Sequence, residues 1–140
     1  MPHVPPIILV SACLVGIACR YDGKIKTNPD CRQEIDRLGA IWIPFCPEQL
    51  GGLSTPREAA DIVDGDGNDV LSGQARVINR NGVDVTNAFC LGAEQVLAIA
   101  GQQAVCAVFL KARSPSCAVS SPMGVTAAIL ARHGYQLREF

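Results

Sequence analysis

Residues 104–117 read AVCAVFLKARSPSC. The first seven, Ala104 to Leu110, are apolar and rich in Val, Phe and Leu, which predicts a strand buried inside a sheet. The chain leaves this strand through Lys111, Ala112, Arg113, Ser114, Pro115 and Ser116, and reaches a thiol at Cys117. Pro115 fixes φ and stiffens the turn. A stiffened turn that carries a cysteine at the lip of a core strand suggests a positioned thiol.

The segments on either side repeat the theme. IILV (7–10) is a short β-branched run between Pro6 and Ser11 and reads as a buried first strand. NPDCRQEIDRLG (28–39) reads as a helix, with Asn28 as N-cap, Pro29 at the first helical position and Gly39 as the stop. Cys31, Ile35 and Leu38 fall on its apolar face. AIWIPF (40–45) reads as a second buried strand. Residues 61–82 contain two turn signals, Asp64-Gly65-Asp66-Gly67 and Asn81-Gly82, and read as a small β-hairpin excursion. Asp66-Gly67-Asn68-Asp69 is faintly like a calcium loop but lacks the acid at the twelfth position, so a plain turn is preferred. Residues 84–101 form the clearest helix, with Asp84 or Thr86 as cap, an apolar stripe of Ala88, Phe89, Ala93, Val96, Leu97 and Ala100, and Gly101 at its end. A helix over 123–134 and a last strand over 135–140 follow the opening stretch. This alternation predicts an α/β fold: one domain over residues 1–140, with a mostly parallel sheet flanked by helices.

The chain of 140 residues is long enough to bury a core without disulfides or a structural metal. Charged residues make up 18% and the net charge is −1, so neither bulk nucleic-acid binding nor an anionic membrane is expected as a partner. The N-terminus lacks the basic start and long apolar core of a leader peptide, which together with the thiols suggests the cytoplasm. Oligomeric state is left open.

Seven cysteines are the outlier. Their odd count and irregular spacing argue against a disulfide framework. Buried apolar thiols, a redox pair and a metal or cluster site remain. Cys13 follows the first expected strand, Cys46 the second, and Cys117 the third. In a parallel sheet those ends share one edge, where ligands bind. Three thiols from separate loops can therefore meet. Structural zinc prefers four ligands from paired knuckles, and no C-x-x-C is present. Three thiolates suit a [4Fe–4S] cube that leaves one iron open; the plain alternative is three unrelated thiols near loop starts. Pro47 stiffens the Cys46 loop as Pro115 does that of Cys117, and Gly16, Gly51 and Gly52 allow close backbone approach. Arg20, Lys24, Lys26, Arg57, Lys111 and Arg113 could offset a cluster's negative charge.

LVSACLVGIACRYDGKIK (9–26), PFCPEQLGGLSTPREAADI (44–62), DVTNAFCLGAEQVL (84–97), LKARSPSC (110–117) and GVTAAILARHG (124–134) together resemble the thiouracil desulfidase family, in order and over nearly the whole chain. The resemblance implies an iron–sulfur enzyme that removes sulfur from 2-thiouracil or a related thiolated nucleobase, giving uracil and hydrogen sulfide without net electron transfer. It implies a [4Fe–4S] cluster held by Cys13, Cys46 and Cys117, with Glu48 and Ser114 catalytic and a small thioamide as substrate. Ser116 is expected to shape the turn. Cys19 is not assigned to the cluster, and Cys31, Cys90 and Cys106 are expected to serve packing.

One departure stands out. Relatives carry a longer loop after the SPSC motif, whereas here only Ala118 and VSSPM (119–123) separate Cys117 from Gly124. The alternative reading is thus a non-enzymatic iron–sulfur or metal-binding module with an altered pocket. A thiol redox protein is a further possibility that lacks its usual C-x-x-C.

Overall fold

The structure, a computed structural model, describes residues 4–140. Met1, Pro2 and His3, the start of the stretch read as no leader, lie outside the described residues. Four parallel strands form the main sheet: β1 (Ile7–Ser11), β2 (Ile41–Phe45), β5 (Val105–Leu110) and β6 (Leu137–Glu139), in the order β2-β1-β5-β6. Ile8 pairs with Trp42 on one side and Ala107 on the other, so β1 is central. The chain turns one way from β1 to reach β2 and later returns to its other flank as β5. The edge between the ends of β1 and β5 is therefore the point where strand order reverses, the preferred ligand crevice of an open α/β sheet.

The two faces of the sheet follow the period-2 rule of a strand. On one face Ile8 and Val10 of β1 and Phe109 of β5 meet Cys31 and Ile35 of helix α1 (Pro29–Leu38). On the other, Leu9, Val108 and Leu110 meet Val96 and Ala100 of helix α4 (Thr86–Gly101) and Ala127 and Leu130 of helix α5 (Val125–Arg132). Helix α1 starts as its sequence suggests: Asn28 accepts the Cys31 N–H at 3.0 Å, and Gly39 ends it in the left-handed region.

Three expectations need correction. Strand β2 is not buried but is an edge strand, with Ile41 and Pro44 exposed. Proline is tolerated there because an edge strand can spare an N–H. The expected hairpin excursion is present as antiparallel strands β3 (Ala60–Val63) and β4 (Arg76–Asn79), but its connection is not a plain turn and contains a short helix, α3 (Gly67–Leu71). The Asp-rich stretch that looks like a turn caps this helix. Asp66 accepts the Asp69 N–H at 3.1 Å, and Asp69 accepts the Asp66 N–H at 2.9 Å. Finally, Cys106 is not packed but exposed, because it precedes Val108, where β6 begins to cover β5.

A third apolar cluster, built from Val70, Ala75, Val77, Phe89, Ala93 and Val125, fastens this excursion to α4 and α5. Gly67 sits so close to the Gly124 carbonyl that a Cβ would come within 2.2 Å of it. The docking places β3 and β4 beside the C-terminal edge of the main sheet. Among the described residues no helix is long and apolar enough to cross a membrane.

Candidate active site

A cavity of about 380 Å³ opens at that edge. Cys13, Cys46, Cys117, Glu48 and Ser114 all line it. Each arrives by a different route. Strand β1 ends in a 3₁₀ turn, Ala12–Val15, which carries Cys13. Strand β2 ends at Phe45 and is followed by Cys46, the N-cap of the one-turn helix α2 (Pro47–Leu50) that carries Glu48. The β5 loop carries Ser114 and Cys117. Arg20, Arg57, Lys111 and Arg113 also line the cavity, whereas Lys24 and Lys26 do not.

Helix α2 is held by backbone packing that only glycine allows. A Cβ on Gly51 would lie 2.0 Å from the Ala88 carbonyl of α4, and one on Gly92 would lie 2.0 Å from the Pro47 carbonyl. The two glycines let α2 and α4 touch main chain to main chain, which fixes where Cys46 and Glu48 point.

The β5 loop is built around Ser114. Its hydroxyl oxygen accepts the N–H of Ser116 at 3.2 Å and of Cys117 at 3.1 Å. This is the turn-forming role open to any loop serine, and the hydroxyl proton remains available to a bound molecule. Ser116 shapes the junction through its backbone instead, its carbonyl accepting the Ala127 N–H at 3.0 Å. Its own hydroxyl is buried and unpartnered among the described residues. Ser11, at the end of β1, accepts the Lys111 N–H at 3.1 Å.

Two features go beyond the sequence reading. The first is Cys19, which is buried and packs with Cys13, Cys46 and Ala12. Hydrogen bonds from Cys19 hold the thiols of Cys13 and Cys46 below the ordinary cysteine value. Lys111 and Arg20 lower Cys13 further, and the Gln49 N–H and Arg57 lower Cys46 further; burial and the charge of Glu48 oppose both shifts. The Cys19 thiol is pushed up in return. Cys117 is also pushed well up, first by burial and then by Glu48.

The second feature is Arg57. Its guanidinium donates to the carbonyls of Cys19 at 3.0 Å and Ser54 at 3.2 Å, and to the Thr55 hydroxyl at 3.0 Å. It also stands 4.0 Å from Glu48 Oε2. The Cys46 sulfur lies 3.6 Å from the same carboxylate oxygen. Asp61, Asn79 and Arg80 of the β3–β4 unit form a further wall. Phe45, Leu53, Val85 and Phe89 supply apolar lining suited to a flat ring.

Among the described residues no three His, Cys, Asp or Glu side chains gather tightly enough to hold a single metal ion. The three thiols border a volume instead of a point. Soft donors arranged around an open space fit a group larger than one ion, and the nearby cations fit a negatively charged one.

The family model described as 2-thiouracil desulfurase matches residues 8–139. The chain belongs to the 2-thiouracil desulfurase family. An uncharacterized protein of Bacillus subtilis strain 168, YbbK, is 42% identical over 143 residues, covering 94% of this chain and 93% of its own. The solved structure of the [4Fe-4S]-dependent thiouracil desulfidase TudS superposes with a TM-score of 0.78 at 34% identity, over 96% of this chain and 90% of that one. The α/β architecture expected of this desulfurase family, with its parallel sheet and small β excursion, is the one observed.

Proposed function

We propose that this chain is a [4Fe–4S]-dependent desulfidase that hydrolyses the C–S bond of 2-thiouracil or a related thiolated nucleobase, releasing hydrogen sulfide. The observation that carries the proposal is the meeting of three thiols and one carboxylate, from three strand ends, around a single cavity in a member of the desulfurase family. Cys13, Cys46 and Cys117 would hold the cluster. Its chemistry when bound is that of a Lewis acid with one iron free of protein ligands. The whole chain, residues 1–140, acts as one desulfidase domain. Its seven free thiols suit the reducing conditions of the cytoplasm.

The protein residues divide the remaining work. Phe45, Phe89 and Val85 hold the planar ring and exclude water from its faces. Glu48 takes a proton from the water that adds to the thiocarbonyl carbon, and returns it as sulfur leaves. The products are a carbonyl and sulfide, so no electron acceptor is consumed. Arg57 keeps the Glu48 carboxylate turned toward the cavity. The Ser114 hydroxyl, fixed by its two backbone contacts, donates its proton to the substrate or the attacking water. Lys111 and Arg20 balance negative charge at the cavity floor.

Anaerobic reconstitution tests this reading. It should give a brown protein with about four irons per chain. Added 2-thiouracil should then lose its absorption as sulfide appears in equal amount. Brown colour without sulfide release from any thioamide would leave a cluster-binding module and remove the enzyme.

A further inference from the structure

The cavity holds four cysteines, and the proposed reaction uses three. Cys19 is 3% exposed, packs in one small cluster with two of the others, and has no part in the chemistry above. Its position follows from the loop that carries it. Cys13 and Cys19 bracket five residues, Leu14 to Ala18. The chain reverses at Gly16, whose φ of +89° belongs to the left-handed region, and the Gly16 N–H donates back to the Cys13 carbonyl. The Ile17 N–H likewise returns to the Ala12 carbonyl at 3.2 Å. The loop thus brings Cys19 back into the small cluster against which Cys13 packs.

We propose that Cys19 is a thiol-modification site: in cluster-free protein it closes onto Cys13 as a disulfide, which locks the emptied pocket and protects the ligand thiol from irreversible oxidation. This rests on the reading of Cys13 as a cluster ligand. Cys46 is the poorer partner because its sulfur is directed at the Cys19 carbonyl, 3.8 Å away, and at Glu48. Cys13 is the more exposed of the two loop thiols, so a small oxidant reaches it first. With hydrogen peroxide the steps balance. The Cys13 sulfur takes one oxygen to become a sulfenic acid, and one water leaves. The Cys19 sulfur then attacks Cys13, the S–S bond forms, and a second water leaves. Two thiols lose two electrons, and one peroxide accepts them. A thiol reductant reverses the bond and returns Cys13 to service.

The test begins with protein stripped of iron by an anaerobic chelator and treated with one equivalent of hydrogen peroxide. Free thiols are then alkylated, and the chain is cut with trypsin without reduction. Cys13 and Cys19 share the peptide that ends at Arg20. That peptide should appear unalkylated and about 2 Da light, while Cys46 and Cys117 are alkylated. The oxidised protein should take up roughly a tenth of the normal iron or less until dithiothreitol is added. In Cys19→Ser the cluster should load fully, but peroxide should drive Cys13 past the reversible stage to sulfinic acid. Full iron in Cys19→Ser together with an alkylated Cys19 in oxidised wild type overturns this proposal alone. Loss of iron from Cys19→Ser overturns the three-ligand assignment as well.

Discussion

Gly92 of α4 meets the carbonyl of Pro47 so closely that a methyl group there would lie 2.0 Å from the oxygen. Pro47 stands between Cys46 and Glu48, so this contact between main chains sets the position of a proposed ligand and of the proposed general base. Gly92→Ala and Gly51→Ala should each overpack the seam. The expected loss is about 1–3 kcal/mol in urea unfolding. Neither glycine lines the cavity, yet both variants should show weakened iron retention. Gly101→Ala, with nothing within 4 Å of its added methyl, is the control. Equal stability of all three variants would remove the seam as the device that places α2.

The sequence made the sheet and its ligand edge legible because each strand end carries its own local marks: an apolar run, then a stiff turn with a thiol. What it hid depends on contacts between distant segments. IWIPF is apolar enough for a central strand, and composition alone does not separate edge from centre; Pro44 was the signal for an edge. Asp66 and Asp69 look like turn residues until their spacing is read as a reciprocal cap. Cys19 follows no ligand spacing, and only the reversal at Gly16 reveals its closeness to Cys13. Nothing local announces that Asp61 and Asn79 wall the cavity, because this depends on how the β3–β4 unit docks against α4 and α5.

The seven cysteines should separate cleanly by iron content. Cys13→Ser, Cys46→Ser and Cys117→Ser should each lose most of the iron, since a hydroxyl replaces a soft thiolate ligand. Cys106→Ala should load normally because that residue is exposed on β5 far along the strand from the ligand edge. Cys31→Ala should load too, but unfold more easily. Cys31 is fully buried against Ile8, Val10 and Ile35, and its removal should cost about 1–2 kcal/mol. Iron analysis and thermal melting, run side by side, distinguish the two kinds of loss.

Glu48→Ala should stay brown and lose turnover by roughly 10²- to 10⁴-fold, the usual worth of a positioned acid–base group. Arg57→Ala should lose less, because the guanidinium acts through Glu48 and through the Cys19 carbonyl. In a Glu48→Gln background, removing Arg57 should have little further effect on turnover. Independent, multiplying losses in the double variant would mean that Arg57 meets the substrate itself.

The short loop that follows Cys117 should make stability depend on acid pH through Glu139. Its carboxylate accepts the N–H of Val119 at 2.7 Å and of Ser120 at 2.9 Å, and the Ser120 hydroxyl at 2.7 Å. These bonds favour the charged form, with the Ser120 N–H the largest influence, so the folded-state pKa lies below the ordinary glutamate value. The folded protein therefore binds this proton less readily than the unfolded chain. The stabilisation is fully present above the unfolded value of about 4.3 and is lost as pH falls through the depressed folded value. Glu139→Gln should lower stability at pH 7 by about 1 kcal/mol, allowing for partial exposure to solvent. The same variant should differ less from wild type at pH 3. Urea unfolding at both pH values measures the gap. A gap that widens toward acid would show that the loop is held by something other than this carboxylate.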